Sequence, residues 1–129
     1  MRRPLLLLLA VVLLAAGCGG GSKTYTAAKT RACLKQHNVR IERIPASDFV
    51  ATTATGGGFR AVLPGTFLTI SFGESEDDAV QIEKAYQRFA FPNVKKGLAD
   101  VLKRDHNAVM LWHQHPQPAQ EALILGCLA

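Results

Sequence analysis

The run from Leu5 to Ala16 constrains this chain more than any other feature. It is 12 residues of Leu, Ala and Val without a charge, and Met1-Arg2-Arg3-Pro4 stands ahead of it. A permanent transmembrane helix needs about 20 apolar residues, so this run is short for one. A basic start followed by a short apolar run is the physical plan of a secretory signal. The positive end stays on the cytoplasmic side while the apolar run enters the bilayer. Residues 1–17 are therefore expected to be a signal peptide that takes no part in the folded body.

The run closes with Leu14-Ala15-Ala16-Gly17-Cys18. Small residues ahead of a cysteine give a peptidase access to an extended backbone. This segment resembles the lipobox of bacterial lipoprotein signals, with Ala15 standing where that family more often has Leu. The resemblance covers the first 18 residues. It implies that Cys18 receives a diacylglycerol and becomes the first residue of the mature chain. It further implies an exported protein, lipid-anchored on the outer side of the cytoplasmic membrane, or on the outer membrane where the cell has one. Gly19-Gly20-Gly21-Ser22 follows as a flexible tether, with a reach on the order of 10–15 Å. The division read from the sequence is a signal at 1–17, an acylated tether at 18–23 and one domain at 24–129.

The chain has 3 cysteines, Cys18, Cys33 and Cys127. If the lipobox resemblance places Cys18 under lipid, Cys33 and Cys127 remain, and export puts them in an oxidising compartment. A Cys33–Cys127 disulfide is the expectation. No Cys-x-x-Cys spacing is present, which argues against a redox-active pair.

Charge excludes little. The formal net charge is +5, and +3 once Arg2 and Arg3 are set aside, too weak to argue for nucleic acid. Lys23, Lys29, Arg31, Lys35, Arg40, Arg43 and Arg60 fill the first half of the body against Glu42 and Asp48. That bias suits an anionic lipid surface, or simply a solvated face.

Hydrophobic spacing orders the body. Thr24 to His37 reads as a helix with Tyr25, Ala28, Ala32 and Leu34 inward, stopped at Asn38. Val39 to Ile44 reads as a strand, and residues 46–58 as a mobile glycine-rich loop. Phe59–Leu63 and Thr66–Phe72 read as a hairpin about Pro64-Gly65, with Leu68, Ile70 and Phe72 on one face. Ser75 caps a helix with Ala79, Ile82, Ala85, Tyr86 and Phe89 inward. Helical spacing resumes after Pro92 and runs to Arg104; Ala108–His113 is a strand and Ala119–Leu128 a last helix. Strand, helix and strand in succession predict neighbouring parallel strands with a crossover. The fold class expected is α+β, a two-layer sandwich of helices on one mixed sheet of three to four strands.

Few side chains carry chemistry. His113 and His115 are two apart, so at strand spacing both imidazoles face the same way and suit zinc or copper. A third ligand would have to come from His37, His106, Asp48, Glu74 or elsewhere. Ser47, Ser71 and Ser75 sit in no Gly-x-Ser-x-Gly elbow, and Glu76, Asp77 and Asp78 suit a helix N-terminus better than an acid pair or a calcium loop. Gly56-Gly57-Gly58 lacks the Lys-Ser/Thr ending of a P-loop. No catalytic residue is named and no cofactor is expected. The function expected is a membrane-anchored, non-catalytic binding module, held to the membrane by lipid and meeting an envelope protein, a wall component or a small ligand. Trp112 and the 51–58 loop are the features most able to form its interface, and equally fit core and linker. The alternatives are a metal-binding protein using His113 and His115, or a small envelope hydrolase.

Overall fold

The computed structural model describes residues 23–129. The signal, the lipobox with Cys18 and most of the tether lie outside the described residues.

Helix α1 (Ala27–Gln36) starts where the Thr26 hydroxyl accepts from the Lys29 amide and stops at Asn38, which adopts φ 60°. Asn tolerates this left-handed geometry better than most residues. A short strand β1 (Arg40–Glu42) follows. The next stretch was expected to be mobile, and it is not. Asp48 caps a one-turn helix α2 (Phe49–Thr52), whose Val50 and Ala51 are buried. The glycines then lie along the neighbouring strand: the Gly56 amide donates to the Phe72 carbonyl, and Phe72 returns a bond to Gly57. At Gly58 a Cβ would meet the Ile70 carbonyl at 2.5 Å, so close approach of backbones, not mobility, selects glycine there.

Strands β2 (Gly58–Leu63) and β3 (Thr66–Phe72) form the expected hairpin, with Gly65 at φ 74°. Helix α3 (Glu76–Phe89) is capped by Ser75, whose hydroxyl accepts from the Asp78 amide. Asp78 reaches back to the Glu74 amide and to the Thr55 hydroxyl. Two one-turn helices follow, α4 (Pro92–Lys95) and α5 (Leu98–Val101). The helix expected to run on to Arg104 instead gives way to strand β4 (Leu102–Asp105), which turns at His106 into β5 (Ala108–Trp112). Helix α6 (Pro118–Cys127) closes the described fold.

The five strands are ordered β1-β2-β3-β5-β4, and every neighbouring pair is antiparallel. The fold is α+β, but the sheet is neither mixed nor three- to four-stranded. The expected parallel neighbours fail for a definite reason. β3 and β4, joined by the helical stretch, do run in the same direction, but β5 inserts between them and pairs with both. The unread strand β4 thus converts a βαβ crossover into a split one.

Helices cover both faces, so the two-layer expectation is also corrected. On one face Phe59, Ala61, Leu68, Ile70, Phe72, Met110 and Trp112 pack with Leu34 of α1 and Ile124 of α6. On the other, Val109, Leu111 and Leu102 meet Ala79, Ile82 and Tyr86 of α3 and Val50 of α2. The face of α1 is the expected one only in part: Tyr25 and Leu34 are buried as read, but Ala28 and Ala32 are exposed and Thr30 is buried in their place. Thr30 is tolerated inside because its hydroxyl donates to the Ala129 carbonyl and accepts from the Ala129 amide.

Cys33 and Cys127 form the expected disulfide, with α-carbons 5.4 Å apart. It joins α1 to α6 across 94 residues. Buried Asn107 ties together two backbone segments through three hydrogen bonds. Its carbonyl accepts from the Tyr25 amide at 2.6 Å, and its amide donates to the carbonyls of Tyr25 and Gly73, each at 2.8 Å.

Candidate binding groove

Side chains alternate across the sheet, so antiparallel partners share a face. One cross-strand row is Arg60, Thr69, Leu111 and Leu102, from β2 through β3 and β5 to β4. A neighbouring row holds Val62 and Phe67 and continues to His113, whose amide donates to the Phe67 carbonyl. Helix α3 covers the next row along, at Val109. The first two rows are left as the floor of a groove. Its walls come from Asp48 and α2 on one side, the end of α3 on another, and α4 and α5 on a third.

The groove has two arms, which meet at Val94 and Leu111. The first is a cavity of about 190 Å³ lined by Phe49, Tyr86, Phe89, Phe91 and Leu98, among others. It offers almost nothing but carbon. Phe49 and Phe89 stand edge to face at 5.2 Å between ring centroids, each about half exposed, and Phe91 is 75% exposed. Three large exposed aromatics on adjoining elements are an unusual concentration for a domain of this size.

The second arm is a cavity of about 350 Å³, lined by Asp48, Arg60, Phe67, Thr69, Val101 and His113, among others. Its polar groups are disposed unequally. Asp48 is occupied: it accepts from the Tyr86 hydroxyl at 3.0 and 3.2 Å and caps α2 through the Ala51 amide. Burial and the adjacent Asp48 carboxylate raise the Tyr86 pKa above its ordinary value, against a smaller opposing contact with Ser71. Tyr86 is therefore a neutral hydrogen-bond donor at ordinary pH. Arg60 is the reverse case. Its guanidinium carbon lies 4.4 Å from the Phe67 ring centroid, and its Nε is buried without a hydrogen-bond partner. No ion pair engages it among the described residues. Phe67 in turn stacks with His113, at 4.4 Å and 19° between ring planes.

The histidines named from the sequence do not converge. His113 lies on Phe67, whereas the Nδ1 of exposed His115 is 2.6 Å from an Asp100 carboxylate oxygen. Strand β5 ends at Trp112, so the alternation that would aim both rings one way has already lapsed. His106 sits between Glu76 and Asp105 at 3.3 and 3.6 Å. Among the described residues, the three metal-type ligand atoms that cluster are those of Cys33, His37 and Cys127, within 4.8 Å of one another. Their two sulfurs are bonded to each other, so this trio offers no thiolate. The serines weighed for a hydrolase have structural places: Ser75 is the cap of α3, and Ser71 faces Tyr86.

The two features that fitted either an interface or a core and linker are settled by the fold. Trp112 is 2% exposed and belongs to the core, and the 51–58 stretch is bonded to β3. The exposed aromatics are instead Phe49, Phe89 and Phe91. The sequence did signal one of them: the apolar stripe of α3 runs Ala79, Ile82, Tyr86, Phe89, one turn further than the sheet can cover. Arg60, grouped from the sequence with a solvated basic face, lies in the groove instead.

No family model, no curated protein and no solved structure matches this chain. Its functional reading therefore rests on the groove and on the signal-like start of the sequence.

Proposed function

We propose that this chain is an extracytoplasmic lipoprotein, anchored through Cys18, whose α+β domain is a non-catalytic binding module. The observation that carries the binding half is the two-armed groove. It combines an apolar arm with a small number of oriented polar groups, the usual make-up of a small-molecule site. The wider of its cavities, about 350 Å³, is within the range of such sites. The ordered start of the sequence supports the anchoring half, and membrane attachment would hold the groove close to the lipid surface.

Two measurements test the halves separately. Expressed with its full leader in a bacterium, the protein should partition into detergent, and Cys18→Ser should leave it unprocessed. Mass spectrometry finding an unmodified Cys18 would overturn the anchor and leave the groove untouched. For the groove, decanol is a probe with a tail and no charge. It should bind the isolated domain, and Val94→Gln, at a position shared by both arms and 42% exposed, should weaken binding by about ten-fold. Absence of saturable binding both by decanol and by charged molecules with the same tail would end the binding reading.

A further inference from the structure

We infer that the ligand of this groove is an anionic amphiphile: a hydrocarbon tail carrying a carboxylate or phosphate head. This deepens the binding reading above and rests on it. The tail would lie in the arm of Phe49, Phe89, Phe91 and Leu98, and the head would meet Arg60.

The argument turns on what each polar group of the groove has left to give. The Asp48 carboxylate is held by the Tyr86 hydroxyl and the Ala51 amide, and, being an acceptor, has no donor to offer a ligand. Tyr86 has spent its proton on Asp48. Thr69 is small and buried. Trp112 also keeps an unpaired Nε1–H, but Arg60 is the group that adds a fixed positive charge to its free donors, and one of them, Nε–H, is buried and unpaired. A buried donor without a partner costs free energy, and most such groups in proteins have partners. Phe67, itself stacked with His113, lies under the Arg60 guanidinium, and a guanidinium over a ring keeps its edge donors free. A guanidinium edge presents two parallel N–H groups, the geometry that a carboxylate or phosphate accepts. Asp48 does not neutralise Arg60, since the two form no ion pair within 4.0 Å although they line one cavity. An uncharged ligand could accept from that donor but would leave the guanidinium charge unmatched, and a cationic one would face Arg60. The apolar arm needs hydrocarbon. The two arms adjoin, sharing Val94 and Leu111 in their linings, so a molecule passing those side chains would occupy both.

The test compares heads on one tail: decanoate, decyl phosphate and decanol, titrated into the folded domain at neutral pH. At least one anionic probe should bind about ten-fold or more tightly than decanol, the scale of a charge-assisted hydrogen bond. The tighter of the two identifies the head as carboxylate or phosphate. Arg60→Met should bring the anion-to-alcohol affinity ratio to about one, and Arg60→Lys should keep part of it. Because Arg60→Met removes a packed side chain, a readout on the unaltered protein stands beside it. The Arg60 Nε–H resonance should shift with the anionic probe, and by more than with decanol. Equal affinity for all three heads, or an Arg60 resonance that ignores the anion, overturns this inference while leaving an apolar groove intact. Failure of every probe to bind removes the binding reading itself.

Discussion

The single side chain with the most to explain is Tyr86. It lies on the buried stripe of α3, where a phenylalanine would pack as well, yet its hydroxyl is aimed at Asp48. Removing an ionised tyrosine from water and setting it beside a carboxylate is doubly unfavourable, so the folded domain holds the phenol proton more tightly than an unfolded chain does. The sign for stability follows. With the folded pKa raised above the unfolded value of 10.0, the contribution is complete below pH 10.0 and is lost as pH rises toward the folded pKa. Tyr25 adds to the same limb, raised by burial and by Asp105. Melting temperature should thus fall steeply above about pH 10, and Tyr86→Phe should make that fall shallower. The same variant should be less stable near neutrality by about 1–2 kcal/mol, since Asp48 loses a donor. An alkaline limb of unchanged slope in Tyr86→Phe would assign the loss to other groups. None of this coupling was legible from the sequence. Asp48 and Tyr86 are 38 residues apart, and only the return of α2 over the sheet brings them together. Arg60 was hidden for the same reason: a strand arginine reads as solvated until a neighbouring strand supplies Phe67.

At the scale of elements, legibility followed how much of each signal was local. α3 carried every local sign at once, with Ser75, three acidic residues in its first turn and a regular apolar stripe, and its start is where those signs put it. The hairpin about Pro64-Gly65 and the stop at Asn38 were equally local. The misreadings share a different cause. Leu98, Val101 and Leu102 have helical spacing, but Leu102 pairs with Leu111 across β5, and strand pairing outweighed helical propensity for the next few residues. The stretch at 46–58 looked mobile because threonine and glycine are poor packers by themselves. Its order comes from Asp48 as a cap and from the close approach of Gly58 to Ile70, both of which depend on partners distant in sequence. Missing β4 cost the topology. With it unread, the last strand was expected beside β3 in parallel, and an antiparallel sheet with helices on both faces had no support. The groove was lost by the same omission, because its wall is the α4–α5 segment that the long helix would have replaced.

For the whole molecule, the consequential link is the one between α1 and α6. Under the proposed anchor, any pull from the membrane enters the domain at its tether and reaches α1 first. Helix α1 has few buried side chains of its own, Thr30 and Leu34, and would be the first element to peel. Three features oppose that. The Thr26 amide donates to the Ala129 carbonyl at 2.6 Å, Asn107 holds both backbone groups of Tyr25, and the disulfide ties Cys33 to Cys127. The covalent tie closes a span of 94 residues, and the chain-entropy estimate for such a loop is about 4–5 kcal/mol. That is a large share of the 5–15 kcal/mol typical of a domain. Reduction should therefore lower the melting temperature by at least ten degrees or so. Cys33→Ala and Cys127→Ala should each lower it by a similar amount, with Cys127→Ala the larger because that side chain is the more deeply buried. The double variant should be little worse than Cys127→Ala alone, since both substitutions break one link. Fully additive losses would mean that the two sulfurs contribute by separate packing and that the bond itself does not constrain the unfolded chain. The groove lies on the opposite face of the sheet from this link, so decanol binding measured below the melting transition should survive reduction. Loss of binding on reduction, with the melting transition still well above the assay temperature, would show the two faces to be coupled through the sheet.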